Sequence, residues 1–112
     1  MSWEEGVRPV PEGPNQALLD ALKHPLRRLL LKLYIETGEM LSPKELALQT
    51  RQPLSSVSYH VRKLAEAGAV VLAEVRPARG AVQHFYRATP AVRKTPWVLA
   101  TLGLSSDKRD RA

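Results

Sequence analysis

The chain has 112 residues, 44 % of them hydrophobic, which is enough for one folded domain with a modest core. It carries no cysteine, and this excludes disulfides, thiolate metal sites and cysteine nucleophiles while leaving the redox compartment undetermined. The formal charge of +6 is unevenly placed: residues 1–50 hold six Lys/Arg against seven Asp/Glu, and residues 51–94 hold eight against two.

Residues 1–14 contain Pro9, Pro11 and Pro14 beside Gly6 and Gly13 and read as a flexible N-terminal arm. From Asn15, a candidate N-cap, the residues Ala17, Leu18, Ala21 and Leu22 form a helical apolar stripe. Pro25 opens a second helix, since proline in a first turn loses no hydrogen bond. Its expected core face is Leu26, Leu29, Leu30, Leu33 and Tyr34, with Arg27, Arg28 and Lys32 toward solvent and Gly38 at its end. Ser42-Pro43-Lys44-Glu45 is a capping box, in which serine and glutamate each satisfy a free backbone N–H. The short helix it starts offers Leu46, Ala47 and Leu48 to the core. It fades around Thr50, Arg51 and Gln52, where Pro53 restricts the residue before it to extended geometry. A fourth helix spans 54–67 and closes at Gly68.

The periodicity then changes. Residues 69–76 and 81–88 are β-rich runs separated by Pro77-Ala78-Arg79-Gly80, a hairpin signal. Beyond Pro90, the residues Trp97, Val98, Leu99, Leu102 and Leu104 suit a short amphipathic helix within 91–104, and residues 105–112 read as a polar tail. There are no internal repeats. Two helices, a short helix, a fourth helix and a hairpin form the winged helix-turn-helix layout, a mostly helical α+β fold with a two-stranded wing, here in domain 15–90.

The fourth helix carries the chemistry. Val57, Val61 and Leu64 recur at i, i+4 and i+7, with Leu54 in support, and that stripe must face the core. The other side displays Ser55, Ser56, Ser58, Tyr59, Arg62 and Lys63. Serine hydroxyls serve any base edge or a phosphate, arginine can bridge guanine through two hydrogen bonds, and tyrosine can meet phosphate or a thymine methyl. A helix N-terminus itself favours phosphate, and no acid appears on this helix before Glu66. Capping or plain solvation is the competing reading of each serine. His60 adjoins the core stripe and reads as a packed, hydrogen-bonded histidine. Arg76 and Arg79 flank the hairpin tip, where Gly80 permits a tight turn and a groove or backbone contact is expected. Gln83, His84 and Arg87 lie on the returning strand, and Tyr86 is expected to pack inward beneath the wing. Arg51, Lys63, Arg79 and Arg87 are the expected phosphate contacts.

Ala21-Leu22-Lys23-His24-Pro25-Leu26-Arg27-Arg28 resembles the opening of the ArsR-like winged-helix regulators. Residues 54–68 look like their recognition helix, and Phe85-Tyr86-Arg87-Ala88-Thr89 is similar to the end of their second wing strand. The resemblance implies a homodimeric, sequence-specific repressor reading a palindromic operator in double-stranded DNA. It also implies dimerisation through the first and last helices, with Leu18, Leu22, Trp97, Val98, Leu99 and Leu102 as interface candidates. Many members of the family sense metals through cysteine pairs, and this chain has none. Asp20 and His24 stand at i, i+4 and could supply two ligands, but two are not a site, so no cofactor is expected. A small-molecule effector, where one exists, is expected between the first helix and the C-terminal segment.

A winged helix used only as a protein-interaction module is the alternative, with the apolar 97–104 segment as its docking surface. The serine and arginine face argues against it. No carboxylate pair, Gly-rich phosphate loop or nucleophile–base constellation is present, so an enzyme is not expected. No apolar run approaches the roughly 20 residues that span a bilayer, and the acidic start lacks the apolar core of a signal peptide. A cytoplasmic location without a membrane partner is expected.

Overall fold

Residues 16–104 are the part of the chain that the computed structural model describes, and they form six helices and one hairpin in chain order. These are α1 (Gln16–Ala21), α2 (Pro25–Thr37), α3 (Pro43–Thr50), α4 (Leu54–Glu66), β1 (Val70–Ala78), β2 (Ala81–Ala88), α5 (Pro90–Arg93) and α6 (Pro96–Thr101). The expected arm, the Asn15 cap and the polar tail lie outside the described residues.

Local chemistry sets the helix ends. His24 precedes α2, and its Nδ1 accepts a hydrogen bond from the Leu26 N–H at 3.2 Å. Gly38 closes the same helix at φ 67°, a left-handed conformation that glycine adopts without a Cβ clash. The capping box of α3 is complete: the Glu45 N–H donates to Ser42 Oγ, and the Ser42 N–H donates to Glu45 Oε1 at 2.8 Å. Ser42 is buried, so its loss leaves a donor with no water to replace it. Ser42→Ala is expected to destabilise the fold by about 1–2 kcal/mol, read as a lower urea midpoint with an unchanged slope.

The core joins α2 and α4 to the hairpin. Leu30, Leu31, Tyr34, Leu46, Val57, Val61 and Leu64 are buried together with Val70 and Ala88 of the strands. Tyr34 Oη donates to the Leu41 carbonyl at 3.1 Å, and burial pushes its pKa well above the usual phenol range. Leu41 and Tyr86 exchange both backbone hydrogen bonds, which ties the wing to the link between α2 and α3. Tyr86 is half-buried against the core as expected, and Phe85 beside it is more deeply buried.

Three expectations for the helices shift. The core face of α2 is rotated by about one residue, or roughly 100°, so Leu31 is buried, Leu29 is exposed and Arg27 turns inward. Leu48 is 73 % exposed, because it stands two residues from Leu46 and therefore on the opposite side of the short helix. The C-terminal segment makes two short helices, α5 and α6, rather than one. Pro96 excludes helical geometry at Thr95, which is extended at φ −96° and ψ 111°.

Strands β1 and β2 pair antiparallel, with Val70 opposite Ala88 and Ala78 opposite Ala81, and with a bulge between Leu72 and Glu74. Strand β1 therefore runs two residues further than expected, and the turn shrinks to Arg79-Gly80. Both are at positive φ, 38° and 78°, as a tight two-residue hairpin turn requires.

Candidate nucleic-acid interface

On α4 the spacing i, i+4, i+7 places Ser55, Tyr59 and Arg62 on one ridge, and all three are exposed. Glu66 continues that ridge at its far end. The N-cap is Pro53, which makes no side-chain capping bond. The first-turn N–H groups of α4 thus stay open to an anion, and the helix dipole adds partial positive charge there.

The flanks differ. Ser58 turns toward the wing and lines a cleft of about 590 Å³ between the starts of α3 and α4 and the hairpin tip. Lys44, Leu54, Arg79, Gln83 and His84 also line it, and no carboxylate does. Ser56 and Lys63 fall on the other flank. Lys63 folds back along the helix, with Nζ 3.5 Å from Glu66 Oε1 and 5.5 Å from the centre of the Tyr59 ring. Its charge is partly answered within the helix.

The wing arginines separate in role. Arg79 sits at the tip and lines the cleft. Arg76, expected from sequence to contact DNA beside the tip, instead pairs its guanidinium with Glu74 and lies 4.5 Å from the centre of the Phe85 ring. Its hydrogen bond holds the Glu74 carboxyl below the usual carboxylate range. Arg87 is exposed opposite Val71, at the base of the hairpin, roughly 20–25 Å from the tip at about 3.3 Å per residue. Arg51 is exposed at the C-cap of α3, at φ 59°, in the turn that leads into α4.

Lys44 escapes a reading of charge along the chain because it lies inside the capping box, among residues whose role is local. The visible signal is its position in the first turn of α3. Gln83 and His84 are legible as returning-strand residues, but not as partners of Ser58, which is far away in sequence.

The interface candidates Leu18, Leu22, Val98, Leu99 and Leu102 are buried within the single chain, and only Trp97 is half-exposed. Side chains already packed in one protomer have little area left to offer a second. The region expected to hold an effector is filled by these same residues, since Leu18, Leu22, Val98 and Leu102 share the core cluster. Among the described residues, no group of three metal-ligating side chains comes together, and no helix is long and apolar enough to cross a membrane.

A family model for a helix-turn-helix domain matches residues 17–73, from α1 into β1 and just over half of the chain. The chain belongs to this helix-turn-helix family. The match takes in α3 and α4, the two helices joined by the short turn at Arg51–Pro53. Among solved structures, reduced HlyU from Vibrio cholerae N16961 is similar at a TM-score of 0.53 and 26 % identity, over 80 % of this chain and 81 % of that one. A second is the homodimeric winged helix-turn-helix DNA-binding domain Mb0332 from Mycobacterium bovis, described as a possible ArsR-family transcriptional regulator. It is similar at a TM-score of 0.50 and 21 % identity, over 92 % of this chain and 91 % of that one. No curated protein sequence matches. The helix-turn-helix family and these winged-helix folds agree with the ArsR-like resemblance, and they are those of DNA-binding transcription regulators rather than enzymes.

Proposed function

We propose that the protein is a transcriptional repressor that binds a palindromic operator as a homodimer. The observation that carries this reading is the exposed Ser55–Tyr59–Arg62 ridge beside an acid-free cleft that ends at Arg79. The ridge enters the major groove, where Arg62 reads a base edge and Ser55 and Ser56 serve bases or phosphate near the helix start. Ser58, Lys44 and Arg79 seat one stretch of phosphate backbone in the cleft, with Arg51 and Arg87 at either end of the contact and Lys63 as a weaker one. Arg76 acts on the wing itself, holding Glu74 and covering Phe85. The Mycobacterium bovis neighbour is a homodimer, and the dimer proposed here uses the outer sides of α1 and α6 around Trp97, with the buried leucines holding those helices in place.

Selection from a random double-stranded DNA pool tests this, with the enriched site then measured across a salt series. An inverted repeat is expected, with half-sites one DNA turn apart. Four phosphate contacts per protomer, at about −0.9 each, predict a logarithmic salt slope of about −7 for the dimer. Weak, sequence-blind binding would sink this reading and favour the protein-interaction module.

A further inference from the structure

Behind the recognition helix, two imidazoles meet. The rings of His24 and His60 lie 4.2 Å apart between centres, tilted by 44°, although 36 positions separate them in the chain. His60 is only 7 % exposed. Its Nδ1 accepts a hydrogen bond from Arg27 Nε at 3.0 Å, while His24 Nδ1 accepts from the Leu26 N–H at 3.2 Å. A guanidinium and a backbone amide can only donate, so each Nδ1 must carry a lone pair and each neutral ring holds its proton on Nε2. Arg27 also reaches the Ala21 carbonyl at 3.5 Å. One side chain thus joins the end of α1, the start of α2 and the back of α4.

We infer that His60, held by Arg27 and packed against His24, positions the recognition helix, and that proton uptake by His60 releases that helix and weakens operator binding. The inference rests on the reading of α4 as the DNA-contacting helix. A proton on Nδ1 of His60 removes the acceptor that Arg27 uses and sets a cation against the guanidinium. The Tyr59 ring lies edge-on to His60 at 5.1 Å, and Arg62 is two residues on, so displacement of His60 moves the ridge.

Of the other charged groups around α4, Asp20 and Glu66 line a pocket with Arg27, Tyr59 and Lys63, and Arg62 is exposed on the ridge. On α1, Asp20 pairs with Lys23, and on α2, Arg28 donates to the Leu22 and Lys23 carbonyls. On α4 itself, Lys63 pairs with Glu66. On α3, Glu45 closes the capping box, and on β1, Glu74 pairs with Arg76. Lys44 lines the wing cleft. Burial first, then His24 and Arg27, lower the His60 pKa below the ordinary 6.5. The neutral His60 ring is therefore kept above that pH and is lost as pH falls through its lowered folded value.

The direction is diagnostic, because acid makes the protein more positive and simple attraction would tighten DNA binding. The chain has three histidines, so His84→Asn gives a background in which His24 and His60 are the only imidazoles. In that background, Kd for the selected site is expected to rise about fivefold from pH 7.5 to 5.5, as the competent fraction falls to about one fifth. Adding His24→Asn and His60→Asn keeps an acceptor near each Nδ1 position but removes the titration, and less than a twofold change is expected. Equal pH dependence in both proteins, or tighter binding in acid, overturns the inference.

Nitrogen-detected NMR of the background protein without DNA is the second readout. Both rings should show the Nε2–H tautomer, and the Tyr59 and Arg62 amides should shift together with a His60 titration below pH 6.5. An Nδ1–H tautomer, or amides that ignore the titration, overturns the inference even where DNA selection succeeds. Should selection yield no site, the proposed function fails, while the spectra still decide whether the pair positions α4.

Discussion

Leu64→Ala is expected to destabilise the fold by about 3–4 kcal/mol and to remove DNA binding with it. Leu64 is fully buried and lies on the stripe that holds α4 against α2 and the hairpin. Truncating such a leucine loses the transfer energy of its methyl groups and leaves a cavity that the neighbours fill only in part, about 2–5 kcal/mol in general. A small domain has about 5–15 kcal/mol in all, and each kilocalorie shifts its melting temperature by about 4–8 °C. A drop of about 15 °C or more should appear in a circular-dichroism melt. Leu48→Ala is the matched control: Leu48 is mostly exposed, and alanine is the better helix former, so a change within about 0.5 kcal/mol is expected. A loss at Leu64→Ala as small as that expected for Leu48→Ala would mean that α4 does not present this face to the core. The Ser55–Tyr59–Arg62 ridge, on the other side of the same helix, would then not be a surface at all.

The order of elements was legible because each boundary has a local cause. Pro25, the Ser42–Glu45 box, Pro53, Gly68 and Gly80 mark starts, stops and turns through their own backbone chemistry, and the structure uses each in that role. The stripe of α4 was legible for the same reason, with three apolar residues at helical spacing among polar ones. Helix α2 was harder. Leu29, Leu30 and Leu31 run together, so periodicity tolerates two core faces about 100° apart. The choice falls to tertiary contact, and it takes Leu31 inward and brings Arg27 to His60.

What the sequence hides is pairing at a distance. Arg27 and His60 are 33 positions apart, and Lys44 and Arg79 line one cleft only because the hairpin folds back toward the start of α3. Glu74 and Arg76 are a different case. They stand two apart on one strand, hence on one face, and the alternation of strand side chains was sufficient reason to expect the pair. The charge total of the 51–94 segment thus overstates the free charge at the wing. The same holds for Lys63 beside Glu66. On α4, the turn before it and the wing, the cations left to meet a polyanion are Arg51, Arg62, Arg79 and Arg87, together with Lys44 from the less basic half of the chain, while Arg93 and Lys94 are exposed at the end of α5.

That division of cations gives a second prediction, in which two variants of equal charge behave differently. Arg62→Ala should weaken binding to the selected site by about 1–3 kcal/mol, or roughly 5- to 150-fold, and relax preference at one position in each half-site. Its effect on a scrambled duplex should be slight, and its salt slope should stay near that of the parent, because a base edge releases no counterion. Lys44→Ala should weaken selected and scrambled duplexes alike and leave the preferred sequence unchanged. With one fewer phosphate bound by each protomer, its salt slope should become shallower by about 1.8. Both side chains are exposed, so neither change should alter stability by more than about 0.5 kcal/mol, and a melt of each variant confirms that folding is not the cause. Fluorescence anisotropy on the two duplexes at three salt concentrations separates the roles. If Lys44→Ala shifts the preferred sequence while Arg62→Ala changes only the slope, the base reader lies at the start of α3 and the ridge of α4 follows the backbone. The wing cleft, rather than the ridge, would then be the part of the surface that reads the operator.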